Sequence, residues 1–229
     1  MIDTILFDLD NTILDFDKAE EIALTKTFRE LHINPTKQMM SRYSEINLAQ
    51  WKLLEQGKIT RDEVKTRRYS LLFQEFGIES SADQAEEIYE KDLGIGHYFL
   101  DGAEELLRDL HNQYHLYIVT NGTASVQRGR IKSAGLRNYC QDIFISEVIG
   151  FNKPRREYFD CCFAKIPEFC KDRCIIVGDS LTSDIQGGIN AGIRTIWFNH
   201  DHIDNISDVH PDYTINSLNE LQAVLHSLN

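Results

Sequence analysis

The first apolar segment of the chain, residues 2–7, is short and ends at Asp8 and Asp10. A short apolar run closed by polar residues predicts a strand buried on both faces, as in a parallel sheet. From residue 19 onward the apolar positions recur at helical spacing, and Pro35, Gly57 and Gly77 separate the repeats. The four predicted helices cover residues 19–31, 39–54, 60–77 and 81–93. Thr60 with Glu63 predicts a capping box at the start of the third.

After Phe99 the pattern changes to an alternation of short apolar runs and amphipathic segments. The predicted strands are residues 115–120, 143–145, 174–178, 195–198 and 213–215. The predicted helices between and after them are residues 102–111, 125–133, 155–164, 184–191 and 218–228. Alternating strands and helices indicate an α/β fold with a doubly wound parallel (Rossmann-like) sheet.

This organisation predicts two domains. Residues 1–14 and 97–229 form the Rossmann-like core, and residues 15–96 form a small all-helical domain inserted after the first strand. Because ligands bind at the carboxyl ends of strands in open α/β sheets, polar residues that follow the predicted strands are the candidates for chemistry.

Asp8 and Asp10 follow the first strand two residues apart, so both side chains project to the same side. Carboxylates held that close repel each other unless a cation or a proton lies between them. Mg²⁺ is the natural cation, because hard cations prefer oxygen ligands. One carboxylate could then act as a nucleophile and the other could transfer protons. The alternative is that residues 10–12 only turn the chain and cap the next helix.

Two further strand ends carry groups suited to phosphate. Thr120-Asn121-Gly122 offers a hydroxyl and main-chain amides in a turn, and Lys153, before Pro154, offers a point charge. The alternatives are an ordinary turn with a helix cap and a solvated surface lysine.

The strand at residues 174–178 ends at Gly178-Asp179, and Asp184 follows five residues later. Asp179 would add a third carboxylate to a metal site at the same edge of the sheet. Asp184 could hold a metal-bound water, or it could simply cap the next helix.

Composition narrows the range of partners and compartments. The formal net charge of −12 argues against a nucleic-acid polymer or an anionic membrane surface as partner. No apolar run approaches the ~18 residues of a membrane-spanning helix, and the N-terminus lacks a signal-peptide pattern. The five cysteines have neither zinc-site nor redox spacing. A cytoplasmic protein is therefore expected.

Together these motifs resemble the haloacid dehalogenase-like hydrolase superfamily over essentially the whole chain. The matching motifs are Asp8-x-Asp10-x-Thr12, Thr120-Asn121, Lys153-Pro154 and Gly178-Asp179-x4-Asp184. The helical insert corresponds to the small cap domain of that superfamily.

The resemblance implies a magnesium-dependent phosphomonoesterase that acts through an aspartyl-phosphate on Asp8, with Asp10 as acid and base. It also implies a ligand set and a phosphate site. The Mg²⁺ ligands would be the carboxylates of Asp8 and Asp179, the main-chain carbonyl of Asp10 and, through water, Asp184. The phosphate would be bound by Thr120, Asn121 and Lys153.

Within the superfamily the chain is most similar to pyrimidine 5′-nucleotidases, through residues 145–150, residues 183–192 and patches of the cap. Asn47 and Trp51 lie four residues apart and so share a helix face. Our hypothesis is that Asn47, Trp51 and Arg68 contact the substrate, with Trp51 stacking on a pyrimidine base and Arg68 binding its carbonyls or the sugar. The alternatives are that Trp51 belongs to the cap core and that Arg68 is a surface charge.

Other functions stay open at this point. The same chemistry could serve another small phosphorylated metabolite, such as phosphoglycolate or a sugar phosphate. A phosphosugar mutase similar to β-phosphoglucomutase would return the phosphoryl group to its substrate. A catalytically inactive interaction protein is the third alternative. A monomer or a homodimer is expected.

Overall fold

The computed structural model describes residues 1–228 and divides them into two compact units. The first, called here the sheet unit, combines Met1–Phe16 with the described residues from His97 onward. The second, called the helical unit, is Asp17–Gly96.

The sheet unit is built on a parallel sheet that has six strands in the described part of the chain. They are β1 (Thr4–Phe7), β2 (His115–Thr120), β3 (Asp142–Ile145), β4 (Cys174–Gly178), β5 (Arg194–Phe198) and β6 (Tyr213–Ile215). Their order is β3-β2-β1-β4-β5-β6, and every neighbouring pair is parallel. The predicted doubly wound parallel sheet is confirmed.

The register of the central strands brings the predicted chemical groups to one edge. Phe7, the last residue of β1, pairs with Ile118 of β2 on one side and with Val177 of β4 on the other. Asp8 comes directly after Phe7, and its main-chain N–H donates to the carbonyl of Val177 (2.9 Å). Thr120 and Asp179 each lie two residues beyond the paired positions, so all three residues lie at the carboxyl ends of adjacent strands.

Side chains of each central strand alternate between two separate hydrophobic clusters. In β1, Ile5 and Phe7 belong to one cluster and Leu6 to the other. The helices of this unit are α5 (Ala103–Leu110), α6 (Ala124–Ser133), α7 (Ser146–Ile149), α8 (Arg156–Phe163), α9 (Gln186–Ala191) and α10 (Leu221–Leu228). Helices α5, α6 and α10 contribute to the first cluster, whereas α8 and α9 contribute to the second. Burial on both faces explains why the strands are apolar without alternation.

The helical unit contains α1 (Phe16–Glu30, entering from the sheet unit), α2 (Lys37–Glu55), α3 (Arg61–Phe76) and α4 (Ala82–Leu93). The predicted capping box is confirmed: the N–H of Glu63 donates to Thr60 Oγ1 (3.3 Å), and the N–H of Thr60 donates to Glu63 Oε2 (2.7 Å). Gly77 ends α3 in a left-handed conformation with φ of 63°. Local chemistry therefore sets the bounds of this helix.

Two local features differ from the expected pattern. The short helix α7 was not predicted, and the segment expected to begin a helix at Asp184 instead starts with a π-helical turn, Leu181–Ile185. The hydroxyl of Ser180 caps this turn by accepting from the N–H of Ser183 (3.3 Å). Within residues 1–228, no helix is long and apolar enough to cross a membrane.

Candidate active site

Three carboxylates and one ammonium group meet at the carboxyl edge of the sheet. Oxygens of Asp8, Asp179 and Asp184 all lie within 4.8 Å of one another. The ammonium of Lys153 donates to Asp8 Oδ1 (2.5 Å), to Asp184 Oδ1 (2.6 Å) and to the carbonyl of Val119 (2.8 Å). When all three carboxylates are ionised, one lysine leaves them with an excess of negative charge, so the cluster can accept a further cation.

Burial perturbs the pKa values of this cluster. Desolvation, followed by repulsion from Asp184, raises the pKa of Asp8 to about 8, although Lys153 opposes the shift. Desolvation and the charge of Asp8 likewise raise the pKa of Asp179 well above its usual range. For Lys153, burial alone would lower the pKa, but Asp184 and Asp8 outweigh it and raise the pKa.

These observations meet the requirements of a magnesium site. The donor set consists of oxygens, which hard divalent cations prefer. Burial and the mutual repulsion of the carboxylates raise the pKa values of Asp8 and Asp179, and a bound cation would offset both effects. The residues present therefore fit Mg²⁺.

Thr12 joins the loop after β1 to the loop after β4. Its hydroxyl is fully buried, accepts from the N–H of Asp179 (3.1 Å) and donates to Asp179 Oδ1 (3.5 Å). The indole N–H of Trp197 donates to the carbonyl of Asp179 (2.8 Å). Asp179 is thus held at its main chain and its side chain. The sequence indicated Thr12 as a motif position but not what it contacts.

Asp184 reaches the cluster across Gly178. A Cβ at Gly178 would lie 2.4 Å from Asp184 Cγ, so a larger residue there would displace the carboxylate. Asp184 Oδ2 accepts from the N–H of Ser180 (3.1 Å), and the other oxygen accepts from Lys153. Asp184 is fully buried with both oxygens hydrogen-bonded.

The side chain of Asn121 holds the main chain of Lys153. Its amide donates to the Lys153 carbonyl (2.9 Å), and its oxygen accepts from the Lys153 N–H (2.8 Å). The loop after β2 therefore fixes the lysine that contacts Asp8. Thr120 is buried beside this loop, and its hydroxyl accepts from Gln127 Nε2 (2.8 Å). Phosphate binding by Thr120, Asn121 and Lys153 stays a prediction.

Asp10 is half-buried after β1, and two side chains of α6 contact its carboxylate. Gln127 Nε2 donates to Asp10 Oδ2 (2.7 Å), and Arg130 forms an ion pair with Asp10 Oδ1. Sequence reasoning missed both partners. Their spacing of three residues places them on one helix face, but the polar residues around them gave no sign of which face is buried.

Asn47 and Arg68 are buried inside the helical unit. Arg68 Nη2 donates to both carboxylate oxygens of Glu86, Oε2 at 2.7 Å and Oε1 at 2.8 Å. Arg68 Nη1 donates to Asn47 Oδ1 (2.9 Å). The alternative interpretation of Arg68 as a surface charge is therefore wrong. Trp51 is half-buried, and the Arg61 guanidinium lies 5.5 Å from its ring centroid. Substrate contacts by Asn47, Trp51 and Arg68 stay predictions.

Residues 5–198 match the haloacid dehalogenase-like hydrolase family. The chain belongs to this family. Its resemblance to the superfamily is thereby confirmed, together with the expectation of a hydrolase.

Relatives that match the chain over nearly its full length support a finer placement. YfnB of Bacillus subtilis, named as a HAD-hydrolase, is 44% identical, with 99% of this chain and 96% of YfnB covered. The pyrimidine 5′-nucleotidase PynA of Streptococcus pneumoniae is 39% identical (95% and 92% covered). The pyrimidine 5′-nucleotidase YjjG of Escherichia coli is 30% identical (97% of each). The similarity to the pyrimidine 5′-nucleotidase branch of the haloacid dehalogenase-like hydrolases is confirmed.

A solved structure of YfnB has the same fold as this chain. The TM-score is 0.94 at 44% identity, with 98% of each chain covered. That crystal structure is described as bound to magnesium and as revealing interdomain movement in YfnB.

Proposed function

We propose that this haloacid dehalogenase-like hydrolase is a magnesium-dependent phosphomonoesterase that acts on pyrimidine nucleoside 5′-monophosphates. The meeting of Asp8, Asp179 and Asp184 around Lys153 carries the proposal of phosphoryl chemistry. The names of PynA and YjjG, with matches over at least 92% of each protein, support the choice of substrate.

Mg²⁺ would be held by the carboxylates of Asp8 and Asp179 and the main-chain carbonyl of Asp10, with Asp184 acting through water. When bound, it supplies positive charge that neutralises phosphate oxygens as a Lewis acid. The chain supplies the nucleophile, the proton transfers and the remaining positive charge.

Asp8 is the proposed nucleophile. Its carboxylate oxygen forms a bond to phosphorus as the bond from phosphorus to the nucleoside oxygen breaks, and Asp10 gives that oxygen a proton. In the second step, water attacks phosphorus, its proton goes to Asp10, and the bond from phosphorus to Asp8 breaks. Lys153 favours the ionised form of Asp8 in this buried setting, because its ammonium opposes the rise in the pKa of that carboxyl.

Lys153, Thr120 and the main-chain amide of Asn121 are proposed to bind the phosphate oxygens. Lys153 already contacts Asp8, so its charge lies beside the oxygen proposed to attack. Positive charge at that place stabilises the charge that develops on the transferred group.

A phosphatase screen tests the proposal. Purified protein is assayed for phosphate release from UMP, CMP, dUMP, TMP, AMP, GMP, phosphoglycolate and hexose phosphates, with MgCl₂ or with EDTA. We expect the highest kcat/KM on pyrimidine nucleotides, loss of turnover in EDTA, and loss of turnover in Asp8→Asn with the fold retained by circular dichroism. Wild-type-like turnover by Asp8→Asn would rule out the nucleophile. A higher kcat/KM on phosphoglycolate or a sugar phosphate would refute the proposed nucleotide substrate. Formation of an isomerised sugar phosphate without free phosphate would indicate a mutase.

Base recognition by Trp51 has its own test. Stacking of a base on an aromatic ring contributes about 1–3 kcal/mol. We therefore expect Trp51→Ala to raise KM for UMP about tenfold or more while changing KM for p-nitrophenyl phosphate little, and Trp51→Phe to retain most of the affinity. Equal losses on both substrates would show that Trp51 serves the packing of its unit instead.

A further inference from the structure

The carboxylate of Asp10 is held by two side chains from a single helix. Gln127 Nε2 donates to Oδ2 (2.7 Å), and Arg130 Nη1 pairs with Oδ1. Each oxygen therefore has its own donor. A carboxylate bonded at both oxygens cannot rotate about its terminal bond without losing one of these contacts, so α6 fixes its orientation as well as its position.

The same two side chains also bond to each other and to the predicted phosphate loop. Arg130 Nη1 donates to Gln127 Oε1 (3.2 Å), and Gln127 Nε2 donates to Thr120 Oγ1 (2.8 Å). Gln127 packs against Gly122, where a Cβ would lie 2.3 Å from Gln127 Cγ. The loop after β2 is therefore shaped around this glutamine.

Arg130 is an unusual residue to find at this depth. It has 0% exposure, and its guanidinium lies 5.6 Å from the ring centroid of Phe16. Burying a guanidinium is costly unless a carboxylate and hydrogen-bond acceptors compensate its charge. Here the compensating carboxylate is Asp10, whose side chain keeps 29% exposure. The buried Arg130 guanidinium therefore pairs with Asp10, the proposed acid and base.

We propose that Gln127 and Arg130 are positioning residues that orient Asp10 for proton transfer. The inference rests on the proposed phosphatase function. A general acid must lie within about 2.6–3.2 Å of the oxygen that it protonates, so a carboxylate free to rotate would spend less time in the productive geometry. Neither side chain touches the reacting atoms in this assignment: Arg130 acts through Asp10, and Gln127 acts through Asp10 and also supports Thr120, so the test compares the losses on two substrates that share the phosphate group.

Two substrates whose leaving groups differ in their need for a proton should respond differently to the orientation of Asp10. While phosphorus moves from the ester oxygen to Asp8, the proton on Asp10 passes to the departing oxygen. A nucleoside alkoxide needs that proton, whereas p-nitrophenolate leaves readily without it. Misorienting Asp10 should therefore slow the first step for UMP much more than for p-nitrophenyl phosphate. The second step, in which Asp10 takes a proton from water, should slow for both substrates.

The test compares Gln127→Ala, Arg130→Met and Arg130→Lys with wild type, using kcat/KM on both substrates and pre-steady-state release of p-nitrophenolate. General acid catalysis contributes about 10²–10⁴-fold. We expect kcat/KM for UMP to fall about 10²-fold in Gln127→Ala and Arg130→Met but less than tenfold for p-nitrophenyl phosphate, with a burst of p-nitrophenolate. Arg130→Lys should recover part of the loss.

Controls separate this outcome from damage to the fold. Lys132→Ala changes an exposed residue of the same helix and should behave as wild type. Asp10→Asn should reproduce the leaving-group pattern in stronger form. If Arg130→Met does not fold, the comparison of the two substrates in Gln127→Ala tests the proposal, because that variant retains the ion pair between Arg130 and Asp10.

Two outcomes lead to different conclusions. Equal losses on both substrates without a burst, in folded variants, would overturn the positioning role while leaving phosphatase function intact. A wild-type protein without phosphatase activity on either substrate would instead refute the proposed function itself.

Discussion

Gly178 has no side chain, and this is what allows Asp184 to enter the carboxylate cluster. The space that a Cβ would need at Gly178 is filled by Asp184 Cγ, 2.4 Å away. Strand β4 can therefore end directly beneath a buried carboxylate that is bonded to Lys153 and to the N–H of Ser180. A residue without functional groups determines the arrangement of those that have them.

Gly178→Ala should impair the site although it adds only one methyl group. The new Cβ must push Asp184 away, which disturbs its contact with Lys153 and, through Lys153, the position of Asp8. We expect kcat to fall at least tenfold and the affinity for Mg²⁺ to weaken, measured by phosphate release and by titration with MgCl₂.

Gly57→Ala is the matched comparison. Gly57 has open space around its Cβ position but a φ of 68°, so the substitution introduces only left-handed backbone strain, about 1–2 kcal/mol. It should lower stability without changing kcat. Unchanged kcat and Mg²⁺ affinity in Gly178→Ala would show that Asp184 can move without consequence.

Single residues also show where prediction from sequence ends. Asp8, Thr120 and Asp179 could be placed together because each ends or follows an apolar strand, and parallel strands end at one edge. The contacts of Arg130 and Thr12 could not be placed, since both depend on side chains that meet across distant segments. The position of a single polar residue in the sequence does not reveal whether its side chain is buried or which side chain it contacts.

At the level of elements, the helical unit has a charged core. Arg68 of α3 contacts Glu86 of α4 and Asn47 of α2, and Asn47 in turn donates to Glu20 of α1 (2.7 Å). The Arg68 guanidinium lies 4.8 Å from the ring centroid of Tyr89. Burial raises the pKa values of Glu20 and Glu86. Four helices are thus joined by one polar network.

Breaking the ion pair from one side should destabilise the protein more than removing it entirely. Glu86→Leu leaves Arg68 buried without its carboxylate, which costs about 3–5 kcal/mol in comparable sites. The double variant Arg68→Met with Glu86→Leu removes both charges and should recover much of the loss. Urea unfolding of the wild type, both single variants and the double variant measures the coupling.

One result of the double-mutant cycle on Arg68 and Glu86 would contradict this prediction. Additive losses, with the double variant less stable than either single variant, would mean that packing by the two side chains matters more than their charges. The exposed pair Arg155–Glu157 is the control, since exposed ion pairs contribute little to stability.

Elements with strong local signals were predicted well, and those governed by tertiary contacts were not. The capping box of Thr60 and Glu63 marked the start of α3, and the apolar runs marked β1, β2 and β4. Helix α7 is only four residues long, too short for a periodic pattern to emerge. The π-helical turn before α9 depends on Ser180 and Asp184 bonding locally, which periodicity cannot reveal.

For the whole molecule, the acidic cluster links folding to the protonation of its carboxylates. Folding raises the pKa of Asp8 to about 8 and that of Asp179 well above its ordinary range. Between the ordinary aspartate pKa of about 3.9 and the raised values, the folded chain holds protons that the unfolded chain has released. Stability without metal therefore decreases as pH rises through this window.

Mg²⁺ should stabilise the protein more at pH 8 than at pH 6. In the proposed site the cation would bind ionised carboxylates, so it would displace fewer protons at higher pH. Free Mg²⁺ at 100 times its Kd should add about 2.7 kcal/mol of stability. Thermal unfolding in MgCl₂ and in EDTA at both pH values gives the difference in Tm.

Asp8→Asn serves as the control for this linkage. Without the Asp8 carboxyl, the Tm in EDTA should depend less on pH, and the stabilisation by Mg²⁺ should shrink. A Mg²⁺-induced change in Tm that is the same at pH 6 and pH 8 in the wild type would show that the cluster binds no protons in this range.

The central place of β1 has a consequence for biosynthesis. Thr12 and Asp179, which bond to each other, are separated by 167 positions along the chain. During translation, β1 leaves the ribosome long before β4 does, so one of its two neighbouring strands is missing until most of the chain has been made. Contacts between such distant segments form slowly and leave nascent chains prone to aggregate. The acidic cluster should therefore form late, after most of the chain has been synthesised. Chaperones that bind exposed apolar strands should then raise the yield of active protein.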